Sequence, residues 1–228
     1  GSRGRRTVYQ GYAGQATTPG TSLSDVNQRK NYPWVPPAPV YRDWGRNWYN
    51  ALQVTMRRRL SQGLSYTLVY TWSKNLDLNG GQDTYNLKAE KGRAGLDFAH
   101  MLALGWTYEM PFGKGKKFSS SRGANAIIGG WQLNGLLQAT SGVPFGVYYC
   151  GDTANVGRTD CYMRPDLVDN PNVSDPTIKQ WYDKNAFAVA ANGTFGNAPR
   201  NFMRGDGLFN LDLSVFRNFG TVSYTHLR

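Results

Sequence analysis

The feature that most constrains this chain is a two-residue alternation of apolar and polar side chains, repeated over several segments of similar length. In residues 47–60 the even positions Trp48, Leu52, Val54, Met56 and Leu60 are apolar, interrupted by Asn50 and Arg58. The odd positions run Tyr49, Ala51, Gln53, Thr55, Arg57, Arg59. Ser61, Gln62 and Gly63 make a tight turn, and residues 64–74 resume with Leu64, Tyr66, Leu68, Tyr70 and Trp72 on one face, mostly Ser and Thr on the other. Three further segments repeat the pattern. Residues 97–110 set His100, Leu102, Leu104, Trp106 and Tyr108 on one face, and Pro111 ends the run because proline cannot donate to a ladder. Residues 129–141 align Trp131, Leu133 and Leu137 against an amide-rich face, and residues 208–219 align Leu211 and Leu213. A period of two is a strand signature, so the chain is all-β and antiparallel.

The connections sort by length. They are long before Asn47 (residues 8–46), short at 61–63, long at 75–96, intermediate at 111–126 and long at 142–207. Short turns at one end and long loops at the other are the habit of transmembrane barrels, whose long loops lie outside the cell. A soluble sandwich has no reason to segregate its loops this way. Mean hydropathy is −0.53 and no apolar run reaches about 18 residues, which excludes a transmembrane helix. A barrel strand needs only about 10 residues with every second one apolar, so this hydropathy is compatible with a membrane barrel. Aromatic residues make up 14% of the chain, as suits rings that settle at membrane interfaces, or the sites of a sugar-binding lectin.

The net charge of +11 raises the question of nucleic acid. The basic residues lie in short groups, 3–6, 57–59 and 114–117, with no helix-turn-helix, zinc or RNP pattern, and no nucleic-acid partner is expected. Cys150 and Cys161 lie close together in a polar, Gly-containing stretch and form a disulfide candidate, with free thiols as the other reading. Zinc needs four ligands, and His100 and His226 are the only imidazoles, so no metal or other cofactor is expected.

Several smaller constellations carry two readings. Asp77, Asn79, Gly81 and Asp83 have the alternate spacing of a calcium loop, but Gln82 and Lys88 stand where its glycine and bidentate glutamate belong, so a solvated turn is expected. Asp97 and Glu109 share a face about 40 Å apart along a strand, with His100 on the other face, so no acid–base set forms and no enzymatic activity is expected. Tyr32, Trp34, Tyr41, Trp44 and Trp48, among four prolines, can stack on a ligand or pack an external loop, and Trp181, Tyr182 and Phe187 pose the same choice.

Several of these segments together resemble the TonB-dependent receptors of the Oar-like type, which carry a carboxypeptidase-regulatory-like domain. The residues concerned are NWYNALQVTMRRRLSQGLSYTLVYTWSKNLD (47–77), the stretch from Asp97 to MPFGKGKKF (110–118), GGWQLNGLLQATSGVPF (129–145) and GTFGNAPRNFMRGDGLFNLDLSVFRNF (193–219). The resemblance covers nearly the whole chain and implies part of an up-and-down transmembrane β-barrel, residues 1–219, in the cell outer membrane. It implies active uptake of a bulky extracellular ligand of unknown identity, powered by the TonB complex through an N-terminal region. The apolar rows, Trp48, Leu52, Val54, Met56, Leu64, Tyr66, Leu68, Tyr70, Trp72, Leu102, Leu104, Trp106, Tyr108, Trp131, Leu133, Leu137, Leu211 and Leu213, then face outer-membrane lipid. Periodicity alone leaves them a lipid face or a sandwich core. The alternatives are a secreted carbohydrate-binding β-sandwich and a plain porin or adhesin barrel. Five strands close no spanning barrel, since these begin at about eight, so the chain reads as an incomplete fragment. Residues 1–6 read as a strand already under way, and residues 220–228 as a possible non-native tail, 222–228 resembling a translated adapter sequence.

Overall fold

A computed structural model of the chain describes residues 1–113, 115–118 and 127–218. The expected tail at 220–228, residue 219 of the last strand, Lys114 and residues 119–126 of the intermediate connection lie outside the described residues. Among the described residues eleven strands follow in chain order: β1 (Ser2–Ala13), β2 (Ala38–Ser61), β3 (Leu64–Leu78), β4 (Gly92–Arg93), β5 (His100–Glu109), β6 (Trp131–Thr140), β7 (Pro144–Phe145), β8 (Asp166–Leu167), β9 (Phe187–Ala188), β10 (Met203–Arg204) and β11 (Leu208–Arg217). One sheet has the order β1-β2-β3-β5-β6-β11, with β4 also on β3, and two-residue strands pair as β10 with β7 and β8 with β9. Every described register is antiparallel. Sequence neighbours therefore sit side by side, as in an up-and-down meander.

The described residues fall into two compact units. One comprises Leu52–Trp72, Ala99–Ser141 and the chain from Gly207, and it holds the strands that alternation made legible. Strands β5, β6 and β11 have ten residues each, about the length that crosses a hydrocarbon layer when tilted. Their register puts the apolar positions side by side. Leu68 faces Leu104, Leu104 faces Leu137, and Leu137 faces Leu211. The rows on either side repeat this, Tyr66 with Trp106, Gly135 and Leu213, and Leu64 with Tyr108, Leu133 and Val215. Trp106 lies where a Cβ on residue 135 would be, so glycine at that position makes room for the ring.

None of the residues in these rows is buried, so no described element covers the apolar face. A sandwich would hide it against a second sheet. The opposite face is polar: Thr107 donates to Asn134 at 2.7 Å, Gln132 to the same Asn134 oxygen at 2.8 Å, and Asn210 to Asp212 at 2.9 Å.

The turn between β2 and β3 is tighter than the three residues read from the sequence. Gln62 and Gly63 both have positive φ, 53° and 82°, the geometry of a two-residue type I′ hairpin. Ser61 ends β2 and Leu64 begins β3 on either side of it. The described registers thus establish one apolar face across β3, β5, β6 and β11. Leu52, Val54 and Met56 of β2 are exposed.

The second unit comprises Gly1–Ala51, Ser73–Phe98 and Gly142–Asp206. Here strand reaches further than alternation suggests. β1 continues to Ala13 and β2 begins at Ala38, so the loop expected over 8–46 shrinks to residues 14–37. Pairing runs from Ser2 opposite Tyr49 to Ala13 opposite Ala38, with register shifts between Arg5 and Thr7 and between Thr7 and Tyr9. Each shift of this kind moves side chains to the other face and erases the period of two from the sequence. Pro39 sits one residue inside the start of β2, where a missing N–H is tolerated.

Candidate functional site

The loops of the second unit, residues 14–37, 79–91 and 142–202, are packed on one another around charge rather than around a large apolar core. Their cluster of fully buried apolar residues is small, Ala16, Ala154, Val156 and Met163. Glu90 and Asp97 are fully buried, Arg158 and Arg164 nearly so, and each has an opposite charge beside it. A charge taken out of water persists only when paired and hydrogen-bonded.

Three of the four pairs join distant segments. Arg164 pairs with Glu90 at 2.5 Å, and Glu90 also accepts from the Asp83 N–H at 3.0 Å. Arg204 pairs with Asp97 at 2.6 Å while donating to the Gly142 carbonyl at 2.9 Å. Arg200 pairs with Asp77 and donates to the Glu90 carbonyl at 3.0 Å. Arg158 pairs with Asp160 and donates to the carbonyls of Gly81 and Gln82 at 2.7 and 2.9 Å. The buried amide of Gln82 joins three segments, donating to the Gly196 carbonyl at 2.8 Å, accepting from the Arg164 N–H at 3.0 Å, with its own carbonyl bonded by Gln15 at 3.0 Å. Burial pushes the Glu90 carboxyl above the ordinary carboxylate range, with Arg164 opposing that rise. Burial likewise lowers the Arg200 guanidinium and raises the Tyr148 hydroxyl.

Cys150 and Cys161 form a disulfide across eleven residues of the longest loop. The rings of Tyr148, two residues before Cys150, and Tyr162, next to Cys161, lie 5.4 Å apart.

Beside this loop core opens a cleft of about 1120 Å³. Strands β1 and β2 supply Arg3, Asp43, Trp44, Arg46 and Trp48, and the loop after β3 supplies Tyr85, Lys88 and Lys91. Lys91 Nζ lies 4.3 Å from the centre of the Trp48 ring and the Arg3 guanidinium 5.7 Å from it. The cleft is thus cationic and aromatic, with one carboxylate.

A family model described as an outer membrane beta barrel domain matches residues 1–228, the whole chain. The chain belongs to that family. No curated protein and no solved structure matches it. The barrel domain therefore resides in the cell outer membrane, and the uncovered apolar face of β3, β5, β6 and β11 is what such a location requires.

Within the barrel domain the residues singled out from the sequence scatter. Asp77 is engaged by Arg200, and the Asp83 carboxylate accepts from the Tyr85 N–H at 2.9 Å, so the calcium-like spacing is spent on loop contacts. Asp97 serves Arg204 and also accepts from the Asn75 N–H at 2.5 Å. Glu109 pairs with Lys116 at 2.6 Å, and His100 shares a 2.8 Å hydrogen bond with the Tyr70 hydroxyl and stacks on its ring. The loop aromatics divide: Tyr32 and Trp34 form an exposed edge-to-face pair, whereas Trp44 and Trp48 line the cleft. Tyr182 and Phe187 belong to a chain of ring contacts with Phe145 and Phe202, and the Trp181 indole donates to the Arg204 carbonyl at 2.8 Å. Sequence reasoning missed the buried ion pairs and the cleft cations, since nothing local distinguishes Arg164 or Lys91 from a solvated charge.

Proposed function

We propose that this barrel domain is part of a TonB-dependent receptor that takes up a bulky extracellular ligand, and that its role is binding and passage rather than catalysis. The observation that carries the reading is the ordered loop core, in which four buried or half-buried ion pairs hold long loops in place beside an open cleft. A pore that only sieves solutes has no need to spend buried charge on fixing its loops, whereas a receptor needs a preorganised surface. The resemblance of residues 47–77, 110–118, 129–145 and 193–219 to the Oar-like receptors supports the same reading. In this proposal the loops face the exterior, outer-membrane lipid covers the apolar face, further strands complete the barrel, and the periplasmic TonB complex supplies energy through a region beyond these residues. Unpaired strand edges in lipid cost several kcal/mol per backbone group, which is why β1 and β11 need neighbours.

The test is the full-length protein in a planar bilayer together with a pull-down on the purified periplasmic domain of TonB. A receptor gives a closed barrel and a stable complex. Steady ion conductance with no TonB complex would replace this reading with that of a porin.

A further inference from the structure

The cleft beside the loop core has a charge balance the ion-pair network does not explain. Arg3, Arg46, Lys88 and Lys91 line it against a single carboxylate, Asp43. Among the described residues none of these four cations makes an ion pair or a side-chain hydrogen bond; Lys91 and Arg3 are held instead against the Trp48 ring. This contrasts with Arg158, Arg164, Arg200 and Arg204 of the same unit, each of which is matched by an acid. Four like charges in one concavity repel one another, and the ring quadrupole of Trp48 offsets only part of that cost for two of them. All four residues are exposed, so their donors are accessible to an anionic group.

Two further aromatic rings in the same cleft keep exposed surface. Trp44 is 38% exposed and Tyr85 is 42% exposed, so each offers surface for stacking. The Arg42 guanidinium lies 4.4 Å from the centre of the Trp44 ring and covers part of it, leaving the rest of that ring and Tyr85 for stacking. Guanidinium groups recognise phosphate and carboxylate oxygens bidentately, and aromatic faces accept the apolar face of a ring.

We propose that this cleft binds an anionic sugar, that is, a ring carrying phosphate or carboxylate groups, with Arg46, Lys88, Lys91 and Arg3 on the anionic groups and Trp44 and Tyr85 against the ring. The assignment does not depend on whether the barrel is a receptor or a porin. The same chemistry occurs in two places, a free ligand in the medium and the phosphorylated sugar headgroup of an outer-leaflet glycolipid, and the test separates them.

Glucose 1,6-bisphosphate and neutral glucose are titrated by calorimetry into the full-length protein in an uncharged detergent. In parallel, the protein's thermal transition is recorded in phosphatidylcholine nanodiscs with and without lipid A. The expected result is binding of the bisphosphate and not of glucose, weakening as salt is raised, and about tenfold weaker in the double variant Arg46→Ala with Lys91→Ala. The charge-preserving pair Arg46→Lys with Lys91→Arg retains binding, which separates loss of the site from loss of the fold. A thermal shift with lipid A that the double variant abolishes, without binding of the free sugar, assigns the site to the glycolipid headgroup. Failure of the wild-type protein to bind either probe, or binding that the double variant leaves intact, overturns the proposal.

Discussion

Arg164 Nη1 lies 2.5 Å from Glu90 Oε2 inside the loop core, joining two residues 74 positions apart that are both almost wholly withdrawn from water. Neither charge has solvent to fall back on. Replacing Arg164 with Met strands the Glu90 carboxylate and should destabilise the loop core by about 3 to 5 kcal/mol, whereas Arg164→Met combined with Glu90→Leu should recover most of that loss. Amide hydrogen exchange over residues 79–97 of the full-length protein reads both effects. Equal protection in the single and double variants would show that the pair does not hold the loops.

Glu90 also sets a pH dependence. Its carboxyl is raised in the folded loops by burial, with Arg164 opposing. A raised acid is neutral in the fold at a pH where the unfolded chain is already ionised, so its effect is to make the loop core most stable below the ordinary carboxylate range. Stability should fall as the pH climbs from that range through the raised value. Denaturant melts of the loop core at several pH values should show this slope in the wild type and a flatter one in Glu90→Gln; parallel slopes would count against it.

Leu68 stands at the middle of the row that continues through Leu104, Leu137 and Leu211. An arginine there faces hydrocarbon, and Leu68→Arg should destabilise the lipid-embedded barrel by about 2 to 4 kcal/mol. Thr67 points to the polar face, so Thr67→Arg should cost much less. Urea titrations of the full-length protein in lipid vesicles, followed by tryptophan fluorescence, compare the two. If both variants unfold at the same urea concentration, the faces are assigned wrongly.

The Cys150–Cys161 bridge closes a short segment of the longest loop. Loop-closure entropy for a ring of this size corresponds to about 3 kcal/mol. Reduction, or the change Cys150→Ser with Cys161→Ser, should speed protease cleavage within residues 141–207 severalfold while leaving the strand residues protected. Unchanged cleavage would mean that the ion pairs alone order this loop.

Much of the transmembrane sheet was legible in the sequence because one-sided burial writes itself as a period of two. β5, β6 and β11 begin and end within about three residues of the alternating segments, and Leu102, Leu104 and Leu137 take the places the pattern gave them. The extension of β1 and β2 was not legible: register shifts around Thr7, together with Pro39 and Gly45, break the alternation. The loop core was least legible. Its order rests on pairs such as Asp97 with Arg204 and Asp77 with Arg200, and a side chain's partner more than a hundred residues away leaves no trace in its own neighbourhood. The cysteines were an exception, since a covalent pair close in sequence can be read from two letters.

Those long-range ion pairs also order events in time. Glu90, Asp97 and Asp77 all precede β5, whereas Arg164, Arg204 and Arg200 all follow β6. The loop after β3 cannot lock until β5, β6 and most of residues 142–204 have been made, so the loop core sets later than the hairpins formed by strands adjacent in sequence.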